Sequence, residues 1–213
     1  MIILEIIALK TLIVAIIGYL TGSANTSLIV GRFYGVDVRQ HGSGNAGATN
    51  TLRTLGKKAA VLVGIGDVLK GITAALIGML VIGNVDGIGS LGVMTGGLAA
   101  VIGHNWPVFF GFKGGKGIFT TLAVAMMMDW RPGLMLLGVF VIVVLVTRYI
   151  SLGSIVAVVL FPIVSALPLF GNSYVFLMFA AALAALAVIR HRTNIVRILN
   201  GTESKFGSNR VNK

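Results

Sequence analysis

An all-α polytopic membrane protein with seven transmembrane helices is the fold this sequence predicts, and three observations carry that expectation. Hydrophobic residues make up 56% of the chain and charged ones 11%, against roughly 25% charged in soluble domains. The apolar residues fall into long runs, most of them near the ~20 residues that cross a bilayer. The basic residues gather in alternate loops between those runs. A water-soluble fold of 213 residues would lack the polar groups to cover its surface, so lipid is part of the solvent. No ladder of alternating strands appears, which argues against a transmembrane barrel.

The runs lie at 11–31, 59–82, 89–103, 118–129, 133–149, 152–170 and 173–190. Those at 89–103 and 118–129 are short for a full crossing. Met1–Glu5 has no basic segment and no cleavage site after it, so it reads as the lead-in to a retained first span. Arg32, Arg39, Arg53, Lys57, Lys58, Lys113, Lys116, Arg148, Arg190, Arg192, Arg197, Lys205, Arg210 and Lys213 fall on one side; Lys10 and Arg131 fall on the other, and Lys70 lies within the second run. The positive-inside rule then sets the N-terminus outside and the C-terminus in the cytoplasm. The whole chain, 1–213, is expected to form one membrane domain.

Composition also excludes chemistry. The net charge of +11 sits between apolar spans, so it points to headgroups or a phosphorylated metabolite and to no nucleic acid. With no cysteine, disulfides, thiolate metal sites and a cysteine acyl-enzyme are excluded. The 29 glycines suit close helix packing, with Gly92, Gly96 and Gly97 as a candidate seam. Asp67 and Lys70, one turn apart in the second run, are expected to face the interior and neutralise each other.

Three polar segments on the basic side are too structured in composition to be connectors. In 35–53, closely spaced glycines let backbone N–H groups of Gly44 and Asn45 converge on an anion, and Ser43, Thr49 and Asn50 add donors. A helix starting near Thr49 would add its positive end, and Arg53 could clamp a phosphate through two parallel hydrogen bonds. The Gly42-x-Gly44-x-x-Gly47 spacing is no dinucleotide fingerprint, because no strand precedes it. In 103–117, Lys113-Gly114-Gly115-Lys116-Gly117 offers two ammonium groups beside exposed backbone, while Trp106, Phe109 and Phe110 suit the headgroup level and His104 reads as structural. In 190–203, His191 and Asn194 share one helix face, and Glu203 is expected to pair with a basic neighbour and lock the tail. Ser151 and Ser154 open the sixth run on one face.

Together these segments resemble the acyl-phosphate-dependent glycerol-3-phosphate acyltransferase family of bacteria (PlsY). The resemblance rests on Gly42-Ser-Gly-Asn-x-Gly-Ala-Thr-Asn-x-x-Arg53, on Gly103-His with Phe109-Phe-Gly-Phe-Lys-Gly-Gly-Lys-Gly117, and on His191-Arg-x-Asn-Ile-x-Arg197 with Gly201-Thr-Glu203. It covers nearly the whole chain; Ile198 departs from the family's usual leucine. It implies transfer of a long acyl chain from acyl phosphate to the sn-1 hydroxyl of glycerol 3-phosphate, giving lysophosphatidate and phosphate. It implies catalytic roles for Ser43, Arg53, Lys116 and His191, and substrate contacts from Gly44, Asn45, Thr49, Asn50, Lys113, Gly114, Gly115, Ser154 and Asn194. It further implies no cofactor or metal, a multi-pass place in the bacterial cell (inner) membrane with the site at the cytoplasmic face, and a soluble acyl-phosphate-producing enzyme as partner. An organophosphate transporter is the rival reading, but the charges crowd one face instead of the bilayer midplane, and no internal repeat is evident.

Overall fold

A computed structural model describes residues 2–85 and 90–207. Arg210 and Lys213 of the basic tail, and Gly89 at the start of the third run, lie outside the described residues. The helices are α1 (Ile2–Ser23), α2 (Thr26–Phe33), α3 (Ala48–Leu55), α4 (Lys57–Val81), α5 (Leu91–Asn105), α6 (Ile118–Met128), α7 (Trp130–Thr147), α8 (Ile150–Ser165), α9 (Tyr174–Arg190) and α10 (Arg192–Leu199).

Helix α5 is the axis. It packs against α1, α4, α6 and α9, while α7 and α9 flank α8. The glycine seam explains the centre: Gly92 and Gly96 of α5 meet the backbone of Gly78 and Ala74 in α4, and Gly97 meets the Val124 side chain in α6. A Cβ at Gly92 would overlap the backbone of α4, so only glycine allows this separation. Beyond the seam, Met94, Val101, Val124, Leu136, Phe161, Phe176 and Leu183 form one core, with Phe161 and Phe176 edge to face at 6.1 Å. The outer faces stay apolar: Leu145, Val146, Leu80 and Ile3 are each more than 70% exposed. Such a surface belongs in lipid.

Among the described residues, three stretches are long and apolar enough to cross a bilayer, namely Ile2–Phe33, Lys57–Val81 and Trp130–Thr147. A fourth is the pair Tyr174–Arg190 and Arg192–Leu199, bent by 59°. The first helix starts at Ile2, well before the predicted 11, because Ile2–Leu9 continue the apolar run; Lys10 therefore sits on a helix and not in an outer loop. Asn25 caps the restart at α2 by accepting the Leu28 N–H at 3.1 Å. The sixth run ends early: α8 stops at Ser165, three residues past its internal Pro162.

The segment ends that carry polar loops gather at one end of the bundle. Ser23 Oγ accepts the Val108 N–H, Arg39 Nη1 donates to Phe110 O at 3.1 Å, and Phe206 N donates to Arg148 O at 2.6 Å.

Candidate active site

The first glycine-rich loop is shaped by Asn50. Its Oδ1 accepts the Ser43 N–H at 2.8 Å, and its Nδ2 donates to Val38 O at 2.8 Å and His41 O at 3.0 Å. Asn50 is 1% exposed, so its amide is spent on holding the loop and is not presented as a ligand donor. Gly42 and Gly44 turn with φ near +60° and +71°, a region other residues avoid. The loop feeds α3, which begins at Ala48 after Gly47, beside the predicted Thr49. Its first N–H groups and dipole face the same end.

The second loop is held from a distance. Arg190, the last residue of α9, donates through Nε to Gly115 O at 2.9 Å and through Nη2 to Gly114 O at 3.1 Å. Its guanidinium also lies 5.3 Å over the Trp106 ring. Gly115 N donates to His104 O at 3.1 Å. This arrangement aims Lys116 at the tail, where its Nζ bonds Asn194 Oδ1.

The tail motif closes the site. Asn194 Nδ2 donates to Glu203 Oε1 at 2.9 Å, Ser151 Oγ donates to the same oxygen at 3.0 Å, and Arg197 Nε donates to Glu203 Oε2 at 3.0 Å. Glu203 thus pairs with Arg197 and locks the tail, as expected. His191 Nδ1 lies 2.7 Å from Ala187 O, which fixes the ring proton there and leaves Nε2 as an acceptor.

These pieces border a cleft of about 880 Å³. Arg39, Lys113, Lys116, Arg190, Arg192 and Arg197 line it; Asp37 is the acidic lining residue, and it is paired to Arg39 at 2.7 Å. Burial pulls the Lys116 ammonium down to about 8; the Glu203 carboxylate opposes this, while Arg197, Arg53 and Arg190 reinforce it. Burial likewise pulls His191 down to about 4, with Lys116 adding to the effect, so the imidazole is neutral. The arrangement can hold anionic groups beside a neutral acceptor nitrogen.

Of the predicted residues, Ser43, Gly44, Asn45, Lys113, Gly114 and Lys116 line the cleft. His191 and Asn194 are buried, with Asn194 bonded to the lining Lys116, and Gly115 is buried and not part of the lining. Thr49 lies in the first turn of α3. Arg53 is exposed on α3, with Glu203 and Arg197 as electrostatic neighbours. Ser154 is buried in α8, its hydroxyl donating to Ile150 O at 2.9 Å, away from the lining. Arg39, Arg190 and Arg192 entered the sequence reading only as topology charges, and no local signal marks them as lining.

A sequence model described as glycerol-3-phosphate acyltransferase matches residues 12–201. A glycerol-3-phosphate acyltransferase of Thermoanaerobacter sp. (strain X514) is 48% identical over 194 residues, covering 91% of this chain and 94% of its own. One from Clostridioides difficile (strain 630) is 45% identical over 200 residues, covering 92% and 95%. The crystal structure of PlsY (YgiH), an integral membrane glycerol 3-phosphate acyltransferase, superposes in its glycerol 3-phosphate form with a TM-score of 0.84 at 41% identity, covering 92% of this chain and 96% of that one. Its lysophosphatidic acid form gives 0.82 at the same identity.

Proposed function

The chain belongs to the glycerol-3-phosphate acyltransferase family, and on that premise we propose that it moves a long acyl chain from acyl phosphate to the sn-1 hydroxyl of glycerol 3-phosphate. It is an all-helical integral membrane enzyme. The observation that carries the finer reading is the convergence of two glycine-rich loops and the tail motif on one cationic cleft at the end of an apolar bundle. Two phosphorylated substrates must meet at one carbonyl carbon, and cations offset their mutual repulsion.

In this reading glycerol 3-phosphate lies with its phosphate between Arg53 and Lys116, near Ser43, the backbone of Gly44 and Asn45, Thr49 and the start of α3. His191 and Asn194 face its glycerol, Lys113, Gly114 and Gly115 receive the donor phosphate, and Ser154, its hydroxyl bonded to Ile150 O, supports α8 away from the cleft. The hydroxyl oxygen attacks the acyl carbonyl carbon and the new ester C–O bond forms. The bond from that carbon to the phosphate oxygen then breaks, and the hydroxyl proton leaves on the departing phosphate. Phosphate is a good leaving group, so positioning and oxyanion stabilisation suffice without an acyl-enzyme or metal. A histidine held near 4 is a weak base, and His191 Nε2 serves to orient the hydroxyl.

The seven crossings would be α1 with α2, then each of α4 to α9, in one membrane domain. In this reading the cleft faces the cytoplasm of a bacterial cell, an orientation that the basic loops support, and a soluble enzyme delivers acyl phosphate there while the acyl chain stays in lipid. The test is a donor choice. Purified protein receives glycerol 3-phosphate with either palmitoyl phosphate or palmitoyl-CoA, with magnesium chelated. Lysophosphatidate from palmitoyl phosphate alone is expected; product from palmitoyl-CoA alone would overturn the donor and the leaving-group argument.

A further inference from the structure

Beneath the cleft lies a buried charged cluster that the proposed chemistry does not use. Lys70 Nζ of α4 is 2.9 Å from Asp67 Oδ1 and 2.8 Å from His104 Nδ1 of α5, and it donates to Ala24 O at the α1–α2 break at 3.3 Å. All three side chains are at most 7% exposed. Asp67 Oδ1 also lies 3.4 Å from His104 Nδ1, but the Lys70 ammonium is nearer and has only protons to give, so Nδ1 accepts from it and the ring proton sits on Nε2. That end of the ring reaches the underside of both glycine-rich loops. A methyl group on Gly115 would overlap His104 Nε2 and the Ala46 carbonyl together, so ring, first loop and second loop meet at one point. Asn25 Nδ2 also reaches Ala46 O, at 3.4 Å, from the same helix break.

Stability alone does not account for such a cluster. A buried ion pair in an apolar bundle loses much of its attraction to desolvation, and apolar residues of similar volume are often as stable. What apolar residues cannot do is orient an imidazole through a hydrogen bond at Nδ1.

We infer that Asp67, Lys70 and His104 form a positioning cluster: the histidine is a wedge that sets the separation of the two phosphate-facing loops, anchored by Lys70, whose charge Asp67 neutralises. This rests on the reading that those loops hold the substrates. The cluster touches neither substrate; it acts through Gly115 on Lys116 and through Ala46 on Ser43.

Two variants separate positioning from folding. His104→Asn keeps a partner for Lys70 through its Oδ1 but is too short to reach the loops. Asp67→Asn with Lys70→Met removes both charges together and leaves His104 without its anchor. Each is purified, and its melting temperature, kcat and glycerol 3-phosphate KM are measured. The expected result is a KM raised about tenfold, with kcat within about threefold and melting within a few degrees of wild type. A variant that keeps its melting temperature and its KM overturns the proposal. So does loss of folding in both, which would make the cluster a folding element only. Wild-type protein that forms no lysophosphatidate overturns the acyl-transfer reading as well, whereas active wild type with unchanged variants overturns the cluster alone.

Discussion

Two glycine-rich loops line the same cleft, yet they are held in opposite ways. The loop at Gly42–Gly47 is sewn by a near neighbour: Asn50 reaches Val38, His41 and Ser43 from the first turn of the helix that follows. The loop at Lys113–Gly117 is held from across the bundle, by Arg190 on the carbonyls of Gly114 and Gly115 and by Asn194 on Lys116. The first is a local device, shaped by its own segment. The second inherits its shape from α9 and α10, and so links a phosphate-facing lysine to the Glu203 latch. Damage to the first loop should therefore appear as lost folding, and damage to the second as lost affinity.

The sharpest way to break this contrast is to remove Lys116. Lys116→Ala is expected to lower kcat/KM for glycerol 3-phosphate about a thousandfold, or ~4 kcal/mol at the transition state. Melting should stay near wild type, because the side chain is only partly buried. Steady-state kinetics beside a melting curve would check it; a loss below tenfold would strip the second loop of its role. A middle-sized effect sharpens the contrast. Asn50→Leu orphans the buried Val38 carbonyl, at ~1–3 kcal/mol, and releases the part-buried Ser43 N–H and His41 carbonyl that fix the loop. Melting should fall by roughly 10 °C for a chain of this size. Arg190→Met orphans the Gly114 carbonyl, which lines the open cleft and can take water, and the carbonyl of the buried Gly115. Its melting temperature should fall less than that of Asn50→Leu while KM rises about tenfold. Equal melting losses in the two variants would erase the distinction between local and distant support.

The same distinction separates what the sequence disclosed from what it hid. Lys70 after Asp67 by one turn, Asn194 after His191 by one turn, and a helix opening near Thr49 are short-range facts, and each is met in the structure. Asn50 was legible as a polar residue in the right loop, but not as one whose amide is fully spent inward. Arg190 over Trp106, His104 against Lys70 and Ser151 on Glu203 join residues far apart in the chain. Their meeting depends on how α4, α5, α8 and α9 are rotated and slid along one another, and glycine seams fix that register without marking polar partners. The start at Ile2 was missed for another reason: Lys10 interrupts the apolar run in sequence, whereas on the exposed face of a helix it interrupts nothing.

The smallest effect concerns protons, and it tests the second loop through its lysine. Burial holds Lys116 near 8 in the free enzyme, so its ammonium is present below that pH and lost above it. Phosphate affinity goes with the ammonium, and kcat/KM, which reports the free enzyme, should fall up to tenfold per unit above pH 8. On the acid side the limb should lie near 6, where the second phosphate ionisation of a phosphomonoester falls. His191, held near 4, stays neutral throughout and adds no limb between 5 and 9. Lys116→Arg should carry the alkaline limb beyond the measurable range, since a guanidinium keeps its proton. His191→Gln should keep both limbs and hold kcat within about threefold while KM for glycerol 3-phosphate rises. An alkaline limb that survives in Lys116→Arg would assign the titration to another group. An acid limb that vanishes in His191→Gln would make His191, and not the departing phosphate, the acceptor of the hydroxyl proton.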